Sequence, residues 1–226
     1  MKQRINIFRQ IHKGLRAMLY DTAITMQLTD FSSTEDATAA IEKVTQVLGV
    51  FYSHAAHEDK FILPLVKQYN ASLVEEFDNE HDKDEFMSHR IQQFVNEYNA
   101  VAGESKLAAG ESIAKAFNEF IAFNLYHMNK EEEKINPVLW KNYSDEEIRG
   151  VQKAIVASIP KEEMLITSKW MLLGINDTEV IVWLKSIKNT APEFVFQSML
   201  NLAEQVLPGA RWDRVQAGLT EGLLLA

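Results

Sequence analysis

The chain has 226 residues, no cysteine, and 23 basic against 32 acidic residues, which gives a formal net charge of −9. Without cysteine it can form no disulfide, zinc–thiolate site or cysteine-ligated iron–sulfur cluster, so any metal must be bound by nitrogen and oxygen atoms. The negative charge disfavours nucleic acid and anionic membranes as partners, and no apolar run has the length of a membrane span or a signal-peptide core. We therefore expect a cytoplasmic protein of one or two domains.

The first predicted helix spans about Lys2 to Thr29. Its inner stripe has steps of three and four residues, which is the spacing of one helix face, and includes His12. The apolar members of that stripe are Ile5, Phe8, Leu15 and Leu19. His12 is therefore expected to face inward. The stretch from Thr29 to Ala37 is rich in Ser, Thr and Asp, which predicts a loop and the N-cap of a second helix.

The second and third predicted helices also carry polar residues on their apolar faces. The second is expected to run to about Tyr69, and its inner face includes His54 and Glu58 among apolar residues. The third helix is expected from about Ala71 to Val101, with His81 on its inner face. Each of these helices therefore directs a histidine inward.

A fourth helix is predicted to end near Trp140, with His127 and Glu131 on its inner face. Asn124, one turn before His127, is expected to be an ordinary buried amide or a group that orients a ligand. Four long helices joined by short connections are typical of an up-down-up-down four-helix bundle. We therefore predict an all-α fold in which each inner stripe contains one histidine.

The region after this bundle is predicted to form about four shorter helices, beginning with a capping box at Ser144 and Glu147. It contains no histidine. The aromatic residues of this region are expected to form a core or a docking face. We therefore divide the chain into a metal-binding bundle, residues 1–143, and a C-terminal helical region, residues 144–226.

Two stretches share one pattern: a histidine, three residues, a glutamate, five residues and a proline. They are HAAHEDKFILP, residues 54–64, and HMNKEEEKINP, residues 127–137. In each, the histidine and glutamate are four residues apart and point the same way from one helix. A single pair arises often by chance, and a lone inward histidine is usually a satisfied core residue. Four imidazoles and two carboxylates in one core would be costly to bury without cations, so the set predicts a pair of divalent metal ions.

These motifs resemble the signature of the hemerythrin-like, or HHE cation-binding, domain family, over about residues 1–143. The resemblance implies a non-heme di-iron site inside a helical bundle, with two histidines on each iron and two bridging glutamates. The implied residues are His12 with His54, His81 with His127, and Glu58 with Glu131. Mixed nitrogen and oxygen ligands suit iron, with manganese and zinc as the alternatives.

One position departs from the family pattern. Oxygen-carrying members have a fifth histidine one turn after the third ligand, where this chain has Glu85, about 40° from His81 on a helix. We include Glu85 as a seventh candidate ligand, with water as the alternative and Asp84, about 60° to the other side, as second choice. Carboxylate or water in place of imidazole should favour reactivity over reversible oxygen carriage. His57 and His89 lie on helix flanks and are excluded.

The sequence therefore predicts a di-iron protein that binds or reacts with oxygen, peroxide or nitric oxide. Its expected role is in iron or oxygen sensing, or in oxidative or nitrosative stress, and whether it is an enzyme stays open. Two other functions fit the same residues. A regulatory module would respond to metal occupancy and act through a protein partner or a second copy of the chain. A metal-free helical scaffold would bind no ion.

Overall fold

A computed structural model describes residues 4–220, which form ten α-helices and no strand. The all-α fold class predicted from the sequence is confirmed. None of the described helices combines the length and hydrophobicity that a membrane crossing requires. The chain divides into two compact units, and each is described separately below. Within the described range, the first unit comprises residues 4–9 and 18–159, and the second comprises residues 10–17 and 160–220.

The long helices of the first unit form a bundle in which α4 packs along α5 and also contacts α2. The unit includes all of α1 except residues 10–17. Its helices are α1 (Arg9–Leu28), α2 (Thr34–Phe61), α3 (Leu63–Lys67), α4 (Ala71–Ala100), α5 (Ser105–Asn142) and α6 (Asp145–Ser158).

The prolines of the two sequence motifs have different effects on the helices that contain them. The sequence predicted one helix as far as Tyr69, but α2 ends at Phe61 and Pro64 lies in the first turn of the short α3. Proline has no backbone N–H and its ring crowds the preceding turn, so it is tolerated best at a helix start. Pro137 nevertheless lies inside α5, which continues to Asn142.

Arg4 connects the N-terminal segment to the start of α6. Its Nε donates to Asp145 Oδ1 over 2.6 Å, and its terminal nitrogens donate to the carbonyl oxygens of Trp140 and Tyr143 over 2.8 and 2.7 Å. Ile148 of α6 is buried in the same apolar cluster as the ends of the bundle helices. These contacts explain why α6 belongs to the first unit, so the domain boundary expected between residues 143 and 144 lies inside that unit.

The second unit is built around an apolar core. Its helices are α7 (Lys161–Gly174), α8 (Asp177–Thr190), α9 (Glu193–Val206) and α10 (Gly209–Thr220), together with residues 10–17 of α1. Leu172, Val180 and Leu184 are completely buried in the core. A Cβ on Gly174 would lie 2.3 Å from the carbonyl oxygen of Lys13, so a close approach of two backbones requires glycine there.

Candidate metal centre

Five of the seven predicted metal ligands come together inside the first unit, where they form what we call the His/Glu cluster. Its members are His54 and Glu58 of α2, His81 of α4, and His127 and Glu131 of α5. The two glutamates are 2% and 1% exposed. One ligand atom from each of Glu58, His81, His127 and Glu131 lies within 4.8 Å of the others, and the same limit holds among His54, Glu58 and Glu131.

Each glutamate of the cluster faces imidazoles from two helices. Glu58 Oε1 lies 3.1 Å from His54 Nε2, and Glu58 Oε2 lies 3.5 Å from His81 Nε2. Glu131 Oε1 lies 3.2 Å from His127 Nε2 and 3.9 Å from His81 Nε2. Two ligand atoms bound to one ion at about 2.1 Å are themselves about 3.0–3.4 Å apart, so the shorter distances suit a shared cation.

Carboxylates outside the cluster fix the orientation of two of its imidazole rings. His81 Nδ1 is 2.7 Å from Asp59 Oδ1, and His127 Nδ1 is 2.8 Å from Glu80 Oε2. An ionised carboxylate only accepts hydrogen bonds, so each Nδ1 carries the hydrogen and donates. The Nε2 atoms therefore face the glutamates of the cluster, which is how carboxylates orient metal-binding histidines in many sites.

The charges around these rings favour their protonated forms. Burial lowers the pKa of His81, but the hydrogen bond to Asp59 and the two facing carboxylates outweigh it and raise the pKa to about 12. For His127, burial again lowers the pKa, and the charges of Glu131 and Glu58 outweigh it and raise the pKa to about 9. The cluster therefore attracts positive charge, and a metal cation would compete with protons for it.

The remaining histidines of the chain are His12, His57 and His89. His12 is fully buried on α1, within the residues 10–17 that group with the second unit, and its assignment as a ligand stays a prediction. His57 is half-buried and stacks on Phe61, with ring centroids 6.3 Å apart. The side chain of His89 is 73% exposed. Neither His57 nor His89 belongs to the His/Glu cluster, and their exclusion as metal ligands stays a prediction.

The structure places Asp84 inside the first unit and Glu85 at its surface, and the assignment of Glu85 as a ligand stays a prediction. The side chain of Glu85 is 54% exposed, and its Oε1 lies 3.9 Å from His89 Nε2. Asp84 is 7% exposed, and its Oδ1 accepts a hydrogen bond from Asn124 Nδ2 over 2.6 Å. Burial raises the pKa of Asp84, although the hydrogen bond from Asn124 opposes this.

Asp59 and Glu80 are the site residues that the sequence did not identify. Each is the immediate neighbour of a cluster residue, but each contacts a histidine on another helix. The helical period of a single element carries no signal for such contacts. The sequence does contain a signal for Asp84. The inner stripe of α4 alternates steps of three and four residues, and the step of four from Phe77 to His81 is followed by a step of three, which reaches residue 84 and not residue 85.

Comparisons with known proteins agree with the motifs. The family model described as Hemerythrin HHE cation binding domain matches residues 3–139. The chain is 20% identical to F-box/LRR-repeat protein 5 of Salmo salar over 173 residues, which is 76% of this chain and 24% of that protein. It is 22% identical to F-box/LRR-repeat protein 5 of Mus musculus over 154 residues (68% and 22%) and of Bos taurus over 156 residues (69% and 22%). The chain thus spans about a quarter of the length of these relatives, and no solved structure matches it significantly.

Proposed function

The chain belongs to the hemerythrin HHE cation-binding domain family, and from this premise we propose that it is a cytoplasmic non-heme di-iron protein. The proposed di-iron centre binds or reacts with small oxidants or diatomic molecules, such as oxygen, peroxide or nitric oxide. The proposed role is in iron or oxygen sensing or in oxidative or nitrosative stress. The observation that carries the proposal is that two buried glutamates each face imidazoles from two helices.

The donor atoms of the His/Glu cluster fit a metal cation. His81 Nε2 is buried and forms no hydrogen bond, yet it faces Glu58 and Glu131 over 3.5 and 3.9 Å. Burying two carboxylates and several imidazoles costs several kcal/mol per uncompensated charge, and a cation bound between them would remove that cost. Imidazole nitrogen together with carboxylate oxygen suits iron, with manganese and zinc as alternatives.

The residues of the site have two kinds of role in this proposal. The members of the His/Glu cluster hold the metal, while Asp59 and Glu80 hold the rings of His81 and His127. Bound iron would supply redox chemistry and a coordination position for the small molecule. Glu85 is left out of the proposed ligand set because its side chain is mostly exposed.

Metal analysis with optical spectroscopy tests the proposal. Protein produced with iron should contain about two iron ions per chain, the stoichiometry of a di-iron bundle site. Its near-ultraviolet spectrum should change when oxygen, peroxide or nitric oxide is added. His127→Ala should lower the iron content sharply and His89→Ala should not. Metal-free protein with a featureless spectrum, or equal losses in both variants, would refute the proposal.

A second candidate function is a regulatory module that acts through a protein partner when metal is bound. It is favoured by the similarity to proteins named F-box/LRR-repeat protein 5, of which the chain covers 22–24%. Metal binding that orders a domain is a common way to couple ion concentration to recognition. Iron that increases protease resistance without any consumption of peroxide would favour this function. Rapid peroxide consumption that is lost in Glu131→Gln would favour oxidant chemistry.

A further inference from the structure

A surface cleft of about 410 Å³ lies between α2 and α4 in the first unit. We call it the α2–α4 cleft. On the α2 side its wall includes Ala55 and Ala56, whose small side chains leave space between the helices. On the α4 side it includes His89 and Glu85, which are 73% and 54% exposed at the side chain, and Asp84, which is buried. The cleft therefore extends from solvent toward the interior of the bundle.

The lining of the cleft is strongly acidic. Four carboxyl side chains contribute to it: Asp59 from α2, and Asp82, Asp84 and Glu85 from α4. No lysine or arginine is among the described residues that line it. A concave surface lined by one sign of charge concentrates the opposite ion and raises its association rate by about 10- to 1000-fold. This surface therefore attracts cations and repels small anions.

The cleft borders the His/Glu cluster at His81, which lines the cleft although its side chain is only 9% exposed. On the cleft side, His81 Nδ1 is hydrogen-bonded to Asp59, whose own side chain is 50% exposed. Its Nε2, which is buried and forms no hydrogen bond, faces Glu58 and Glu131. One side chain thus borders both the cleft and the proposed metal site.

We propose that the α2–α4 cleft is the entry path for a hydrated divalent cation, with Asp82 and Glu85 as its first contacts. Asp59 and Asp84 then receive the ion beside His81 before it reaches the cluster. This inference rests on the proposed metal centre. It assigns to Glu85 a role in loading the site, which is compatible with its exposure, instead of a role in holding the metal.

Loading kinetics of the metal-free full-length chain test the path. Co²⁺ is mixed rapidly with the protein and its binding is followed by the visible absorption of the bound ion. At low ionic strength, the double variant Asp82→Asn/Glu85→Gln should take up Co²⁺ about three- to tenfold more slowly than the wild type, because steering depends on local charge. The final amount bound should be unchanged. The difference should shrink as salt shortens the screening length to about 3 Å at 1 M.

The matched control removes the same charge elsewhere on the first unit. Asp78 and Glu133 are exposed and do not line the cleft, so Asp78→Asn/Glu133→Gln should load within about twofold of the wild type. A steric variant, Ala56→Phe, should slow loading at every salt concentration because it fills the cleft.

The outcomes separate this inference from the proposed function. Equal loading rates in the cleft and control variants would overturn the entry path and leave the metal centre intact. A lower final Co²⁺ content in Asp82→Asn/Glu85→Gln would also overturn it, because one of these residues would then hold the metal. Wild-type protein that binds neither Co²⁺ nor iron would overturn the metal centre and the entry path together.

Discussion

The two units bury different chemistry inside helices of the same general kind. The first unit buries charged and polar groups at its centre, including Glu58, Asp84, Asn124 and Glu131. In the described part of the second unit, residues 10–17 and 160–220, the buried polar side chains are those of His12 and Ser168, and no carboxylate is buried. Since the second unit packs its helices with an apolar core, helix packing in this chain does not require buried carboxylates. Local departures from an apolar core are expected at functional sites, and the first unit has such a departure.

The largest effect is expected when the first unit is also given an apolar centre. In His54→Leu/Glu58→Leu, the imidazole and the carboxylate that face each other on α2 are replaced together, and His81 keeps Asp59 and Glu131 as facing carboxylates. We expect metal binding to be abolished. We also expect the unfolding free energy of the metal-free protein to stay the same or rise by about 1–4 kcal/mol.

Metal analysis and urea unfolding in the presence of a chelator provide the two measurements. Glu58→Leu alone is the control, since it leaves the imidazole of His54 without its carboxylate and should cost about 3–5 kcal/mol. If the double variant were as unstable as the single variant, the buried carboxylate would hold the bundle together, and the contrast between the two units would lose its functional meaning.

The converse change damages the core of the second unit. Leu184 is completely buried there, so Leu184→Ala should lower the unfolding free energy by about 2–5 kcal/mol through lost burial and a cavity. We expect the metal content of the folded protein to be unchanged. Urea unfolding can be followed by the fluorescence of Trp183 and Trp212, which lie in this unit. A parallel loss of bound metal would show that the second unit supports the metal site.

Helical geometry was sufficient to predict the parts of the cluster that lie on one element. A histidine and a glutamate four residues apart must share a helix face, and the structure gives 3.1 Å within the pair on α2 and 3.2 Å within the pair on α5. The same geometry separated His57 and His89 from the inward histidines. It also predicted the all-α fold, because apolar residues every three to four positions are typical of helices.

The periodicity of a single helix does not predict which residues of neighbouring helices it contacts. Asp59 and Glu80 reach histidines of neighbouring helices, which depends on the rotation and offset of α2, α4 and α5. The burial of Asp84 and the exposure of Glu85 were not predicted from the sequence for a related reason. The angle of about 40° between Glu85 and His81 on the helix takes only one inward residue into account. The face of α4 that points to the interior of the bundle is the centre of its whole inward stripe.

A smaller effect is expected from a substitution that alters only the hydrogen bond that orients a cluster histidine. Glu80→Gln keeps a hydrogen-bond acceptor for His127 Nδ1 but removes the negative charge of the carboxylate, which also forms an ion pair with Lys130. Carboxylates in this position typically contribute 10- to 100-fold to metal affinity, so we expect a loss of about that size. Competition of the metal between protein and a coloured chelator measures it.

Glu76 provides a matched control for this change. It pairs with Lys130 over 2.5 Å and with Lys134 over 3.0 Å, and no histidine is among its described hydrogen-bond partners. Glu76→Gln should therefore leave the metal affinity within about twofold of the wild type, since an exposed ion pair contributes little. Equal losses in the two variants would mean that general negative charge attracts the metal, and that the hydrogen bond to His127 does not matter.

The smallest expected effect concerns the surface charges of the second unit. Asp177 accepts hydrogen bonds from Arg211 and Arg214 over 2.7 and 2.6 Å, and these contacts lower its pKa. A lowered pKa in the folded state stabilises the protein above the unfolded value of about 3.9 and ceases to do so as the pH falls through the folded value. Asp177→Asn should therefore cost less than about 1 kcal/mol at pH 7, because solvent screens the pair, and the cost should shrink in acid. If the cost measured by urea unfolding did not shrink as the pH falls below the unfolded value of about 3.9, the shape of this side chain would stabilise the second unit and its charge would not.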